Sequence, residues 1–210
     1  SNSVWGVQIS SNTLYKFDAA TGATLSTVGI SSADPIVSIA WDPKTHTMYG
    51  NSTTSFGGNN TLWKIDATTG AATLIGNTQL NSLYGLAFDN NGTLYGTTGE
   101  SGATSDLWKI DTATAAAADV GVLGATGNFD IAFRPEDNKL FMASAGSYSL
   151  YTVDPGTAGV TLVGAYGSST NVAGLAFVGA IPEPETYALM LAGLGCVGWV
   201  ARRRSLGTPS

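Results

Sequence analysis

The chain has 210 residues, of which only 11% are charged, and a formal net charge of -6; this excludes the basic face that a nucleic-acid binder presents. A single cysteine (Cys196) and a single histidine (His46) exclude a disulfide framework and a His/Cys zinc site. Glycine is plentiful, at 27 residues, and Thr, Ser, Asn and Ala abound, a composition that fits short strands and tight turns rather than long helices.

In chain order, the first residues carry no Met and no charged-then-apolar leader, as expected where a signal peptide has been removed. The first strand reads Val4-Trp5-Gly6, and the pattern returns as Met48-Tyr49-Gly50 and Leu94-Tyr95-Gly96. Next comes Leu14-Tyr15-Lys16-Phe17-Asp18, repeated as Leu62-Trp63-Lys64-Ile65-Asp66, Leu107-Trp108-Lys109-Ile110-Asp111 and Leu150-Tyr151-Thr152-Val153-Asp154. The leading leucines stand 48, 45 and 43 residues apart. A third motif, Ile39-Ala40-Trp41, recurs at Leu86-Ala87-Phe88, Ile131-Ala132-Phe133 and Leu175-Ala176-Phe177, at intervals of 47, 45 and 44. Strand-like repeats of roughly 40–50 residues are the signature of propeller blades. Apolar residues alternate with period two, which rules against helices.

One repeat predicts four strands: Leu83 to Phe88, Thr93 to Thr97, Asp106 to Asp111 and Ala118 to Leu123. Asn91-Gly92 marks the first hairpin, because both residues tolerate positive φ. The Asp that ends each third strand opens a turn such as Asp18-Ala19-Ala20-Thr21-Gly22, where its carboxylate can accept backbone N–H groups. The sequence thus predicts an all-β, propeller-like body over residues 1–180, with four blades of about four short antiparallel strands. The first repeat lacks the Leu-Ala-Phe strand and the last copy has nothing else, so Gly174, Leu175, Ala176 and Phe177 are expected to supply the strand that completes blade 1. Completion within one chain gives a closed monomer; completion between chains gives a homo-oligomeric ring of eight or twelve blades. Both routes stay open, and either removes the exposed strand edges that invite aggregation.

The character changes over residues 181–210. Ile181-Pro182-Glu183-Pro184-Glu185 is a stiff, extended hinge. Residues 187–201 are apolar and end on Arg202, Arg203 and Arg204, positive charge placed as at the cytoplasmic end of a membrane segment. As a helix these 15 residues rise roughly 22 Å, short of the ~30 Å hydrocarbon core, which suits a transient inner-membrane anchor. The Pro182-Glu183-Pro184 motif, the apolar helix with Gly193-Leu194-Gly195 and the arginine cluster together resemble the PEP-CTERM sorting signal; the chain departs from it by running on for six residues after Arg204. The resemblance implies processing by an exosortase-type enzyme in a Gram-negative bacterium that makes extracellular polysaccharide. It also implies a secreted protein at the cell surface or in the extracellular, biofilm-type matrix. The body resembles secreted propeller repeat proteins, which speaks to architecture and not to activity.

Groups for chemistry are scarce, and no catalytic residue is assigned. His46 sits in a turn, where a solvated role accounts for it. Cys196 lies in the tail, leaving the body without a thiol nucleophile. Calcium is the one metal the oxygen-rich loops suit, through Asp18, Asp66, Asp111 and Asp154, yet an Asx-type turn accounts for each of these residues, and no cofactor is expected. Tyr15, Trp63, Trp108 and Tyr151 fit packing between blades, with Trp63 and Trp108 kept as candidates for stacking a glycan. The expected function is non-enzymatic, a surface or matrix structural protein. The alternative is a polysaccharide-binding module, and a propeller-class hydrolase or lyase stands third, since the acidic or histidine ligands it needs are not gathered.

Overall fold

In the computed structural model the described residues are 3–53, 59–99, 104–127, 129–167, 172 and 174–177. They form four antiparallel sheets, the blades of a propeller, within the unit Ser1–Phe177. Blade 1 holds β1 (Ser3–Gln8), β2 (Thr13–Asp18) and β3 (Thr24–Gly29). Blade 2 holds β4 (Ile36–Asp42), β5 (Thr47–Thr53), β6 (Asn59–Ile65) and β7 (Ala72–Asn81). Blade 3 holds β8 (Leu83–Phe88), β9 (Leu94–Thr98), β10 (Thr104–Ile110) and β11 (Ala117–Thr126). Blade 4 holds β12 (Phe129–Arg134), β13 (Lys139–Ser144), β14 (Ser149–Val153) and β15 (Val160–Ala165). Within each sheet the strands run in sequence order, each paired with its neighbour.

The blades share one construction. In every blade the pairing of the last two strands slips by a bulge, at Lys16/Phe17, Leu62/Trp63, Leu107/Trp108 and Leu150/Tyr151. Such bulges steepen the local twist. The aspartate turns form as the sequence predicts. Asp18 Oδ1 accepts the N–H groups of Ala20 and Thr21, Asp66 those of Thr68 and Thr69, and Asp111 those of Ala113 and Thr114, all within 2.8–3.0 Å. These bonds hold the three carboxyls below the usual carboxylate range. Four residues after each aspartate the chain turns left-handed, at Gly22, Gly70, Ala115 and Ala158.

The core is three separate seams between successive blades. The blade 1–2 seam gathers Leu14, Ile36, Met48, Trp63 and Ile65. The blade 2–3 seam gathers Leu62, Leu83, Leu86, Phe88 and Ile110, and the blade 3–4 seam Leu107, Leu123, Ile131, Phe133 and Met142. Each seam receives a fully buried leucine from the last strand but one of the blade before it: Leu14, Leu62 and Leu107. Gly50 and Gly96 make this packing possible. A Cβ on Gly96 would lie 2.7 Å from Leu83 Cδ1 and 2.9 Å from Ile110 Cδ1. Blade 4 has Met142 at that place and the smaller Val153 in place of the isoleucine, so volume is traded rather than added. Polar clips reinforce the seams. Asn12 accepts the Ile36 N–H at 2.9 Å, and Asn60 in the next blade accepts the Leu83 N–H at 3.0 Å, each fixing the start of the following blade's inner strand.

The chain end behaves differently from an ordinary fourth strand. Among the described residues the sheet of blade 1 has three strands, and residues 174–177 join no ladder. They nonetheless occupy the inner-strand position that follows blade 4. Phe177 meets Phe141 with ring centroids 5.0 Å apart, as Phe88 meets Tyr49 and Phe133 meets Tyr95, both at 5.2 Å. The Leu175 N–H donates to the Asp130 carboxylate of β12, which holds the segment against blade 4. The sorting residues Pro182, Glu183, Pro184, Arg202, Arg203 and Arg204, and the apolar stretch expected to be helical, lie outside the described residues. Among the described residues no helix is long and apolar enough to cross a membrane.

Candidate functional site

The inner strands converge on the propeller axis and leave a cavity of about 740 Å³ there, within the range of small-molecule sites. Its walls come from every blade: Trp5 and Val7 of β1, Val37 and Ile39 of β4, Tyr84 and Leu86 of β8, and Asp130 and Ile131 of β12. Val172 and residues 174–176 also line it.

Asp130 is the charged group on this wall. Blades 2 and 3 carry Ser38 and Gly85 at the same inner-strand position, so the carboxyl departs from the repeat. It accepts N–H bonds from Leu175 and, at 3.0 Å, from Ile131. No cation pairs with it among the described residues. Burial outweighs the two hydrogen bonds and pushes its pKa up to about 6. Trp5 and Tyr84 add half-buried aromatic faces, and the Lys16 ammonium sits 5.3 Å from the Trp5 ring. This set can bind and orient a neutral or hydroxyl-bearing molecule. It does not form a carboxylate pair for acid–base work.

The residues singled out by sequence fall elsewhere. Trp63 is 8% exposed, inside the blade 1–2 seam, and its indole N–H donates to Ser52 Oγ and Thr61 Oγ1, both at 2.9 Å. Trp108 is half-buried, with its N–H on Thr98 Oγ1 at 3.0 Å. Trp63 therefore offers no face to a sugar, because the neighbouring blade covers it. His46 takes a left-handed turn conformation beside Trp41. The four turn aspartates lie in four different blades, and among the described residues no three His, Cys, Asp or Glu side chains gather to hold a metal. Sequence reading passed over Trp5, Tyr84 and Asp130. The signal for Asp130 was its break with the Ser38 and Gly85 positions of the repeat.

Several solved structures share this fold. A nidogen/laminin complex matches with a TM-score of 0.57 at 16% identity, over 75% of this chain and 58% of that one. An auxiliary nutrient binding protein from Bacteroides ovatus matches at 0.58 and 15%, over 81% and 40%. TolB from Acinetobacter baumannii matches at 0.52 and 20%, over 79% and 42%. This chain thus spans well under two thirds of each, and at these identities the likeness speaks to fold alone. No curated protein matches the sequence. The PEP-CTERM protein-sorting motif matches residues 180–204, so the chain carries an exosortase-type sorting signal that directs it to the cell surface or extracellular space. Residues 10–180 match the family described as Repeat of unknown function (DUF6923), and the chain belongs to that family.

Proposed function

We propose that the protein is a non-enzymatic structural component of the bacterial surface or extracellular matrix. On this reading it is held briefly at the inner membrane by its tail and released by an exosortase-type enzyme. The observation that carries the reading is the sorting motif over residues 180–204, which follows directly on the repeat body over residues 10–180. The low charge, and an axial cavity with one carboxylate among its described lining residues, support a role in contact rather than in chemistry. Assembly into a homo-oligomeric ring belongs to the same reading. Deleting residues 181–210 should leave the body folded and change its destination in the producing cell. Cell fractionation that finds the truncated and full chains in the same place would refute the sorting role.

One observation favours a second reading, a polysaccharide-binding module: Trp5 and Tyr84 both line the axial cavity and are half-buried. An aromatic face stacked on an apolar partner contributes roughly 1 kcal/mol or a little more, which is about tenfold in affinity. Tyr84→Ala should then weaken retention on the producer's own polysaccharide about tenfold. Equal retention of the two forms, or none by either, rejects the cavity as a glycan site.

A further inference from the structure

Among the described residues three seams are filled, and both halves of a fourth stand open. At each filled seam the left-handed turn of one blade seats on the outer strand of the blade before it. A Cβ on Gly70 would lie 2.0 Å from the Gly29 carbonyl oxygen. One on Gly76 would lie 3.3 Å from Ala115 Cβ, and one on Gly121 would lie 3.4 Å from Ala158 Cβ. The equivalent pair for a fourth seam is Gly164 on the outer strand of blade 4 and Gly22 in the turn of blade 1. Among the described residues, nothing lies within 4 Å of the Cβ position of either.

The side chains tell the same story. Leu150 of blade 4 is half-buried, where Leu14, Leu62 and Leu107 are fully buried. On blade 1, Val4 is 42% exposed, where its counterpart Met48 is 2% exposed. Gly6, Tyr15 and Phe17 line an open apolar groove. Their counterparts Gly50, Trp63 and Ile65 are buried in the blade 1–2 seam. The backbone is open too. Among the described residues β1 ladders with β2 alone, while β5, β9 and β13 each ladder with strands on both sides. Residues 174–177 lie beside blade 4, tied to it through the Leu175 N–H on Asp130, and among the described residues they join no ladder.

We propose that these two faces meet between chains: blade 4 of one copy docks on blade 1 of a second copy, and residues 174–177 of the first add to β1 of the second as its inner strand. The second copy is the fitting occupant because the open faces are the two halves of a seam that the chain already builds three times. On blade 4, Leu150 and Gly164 are paired as Leu62 with Gly76 and Leu107 with Gly121 are, and on blade 1 the Gly22 turn corresponds to the Gly70 turn. Strand addition supplies main-chain hydrogen bonds, and the groove supplies apolar burial. The contact is head-to-tail, so it must close into a ring of chains or extend into a filament. This deepens the homo-oligomeric ring proposed above and rests on it.

The test uses the full chain in mild detergent, measured by native mass spectrometry, with circular dichroism to confirm folding. Gly164→Arg spoils the blade 4 face, and Gly22→Asn spoils the blade 1 face while tolerating the left-handed turn. The wild type is expected to form multimers, and each variant alone should fall to single chains. An equimolar mixture of the two variants should recover a one-to-one pair, because one good seam remains between them. Multimeric wild type whose variants keep its mass would overturn this seam and leave the oligomeric reading standing. A wild type that is a single chain throughout the micromolar range overturns both.

Discussion

Gly70→Val is expected to destabilise the protein by about 3–5 kcal/mol, while Gly22→Val at the equivalent turn costs only about 1–2 kcal/mol. Both glycines are left-handed, with φ of +74° and +71°, so both substitutions pay the same backbone strain. Their surroundings differ. At Gly70 a Cβ would run into the Gly29 carbonyl oxygen and come within 2.9 Å of Val28 Cγ2. The first of these contacts is with backbone, which cannot swing aside as a side chain can. Relief would require blades 1 and 2 to part, loosening the Ser31 N–H bond to the Gly70 carbonyl at 3.0 Å. At Gly22 no described residue stands within 4 Å of the added Cβ. Urea titration of dilute, single-chain protein checks the pair. Equal losses at the two sites would show that the turn conformation alone sets the cost and that the seam contributes nothing.

The second large effect is a pH dependence at Asp130. Its pKa is raised by burial from an ordinary 3.8 to about 6, so the folded protein holds the proton more tightly than the unfolded chain does. Folding is therefore favoured below about pH 4, and this contribution is lost as pH rises through 6. Two units at about 1.4 kcal/mol each put the loss at roughly 3 kcal/mol by pH 7. The exposed turn aspartates, whose pKa values are lowered, act in the opposite direction: their contribution is present at neutral pH and fades as pH falls. Comparison with Asp130→Asn separates the two trends. The stability of the variant relative to the wild type should rise by about 2–3 kcal/mol between pH 4 and pH 7, on top of a constant loss where the new amide NH2 faces one of the two N–H donors. A difference that stays constant from pH 4 to 7 would mean that Asp130 titrates in the folded protein as it does in water.

Much of the blade was legible in the sequence because period and turn chemistry are local. The expected strand from Leu83 to Phe88 forms at those bounds as β8, and Asp106 to Asp111 lies within one or two residues of the end of β10. The aspartate turns were legible for the same reason: donor and acceptor are two or three residues apart. The site was not legible, because it is made by residues brought together around an axis. Alternation shows that Leu62 and Trp63 point to opposite faces of a strand, but not that a neighbouring blade covers both faces. Trp63 therefore read as a stacking candidate, while Trp5, whose counterpart Tyr49 is buried, reached the cavity in a blade with only three strands. The bulges before Trp63 and Trp108 also left no mark in the repeat, since they shift a pairing between strands and leave the spacing along one strand unchanged.

Three filled seams for four blades also set the order in which the chain comes apart. Blades 2 and 3 are each held from both sides, and blades 1 and 4 from one side only. In a linear array with nearest-neighbour coupling, the end units open most often. Amide hydrogens of β3 and β15 should then exchange with solvent far sooner than those of β5 and β9. Outside the cell, where proteases are met before any chaperone, the cut points of a lone chain would cluster in its first and last blades.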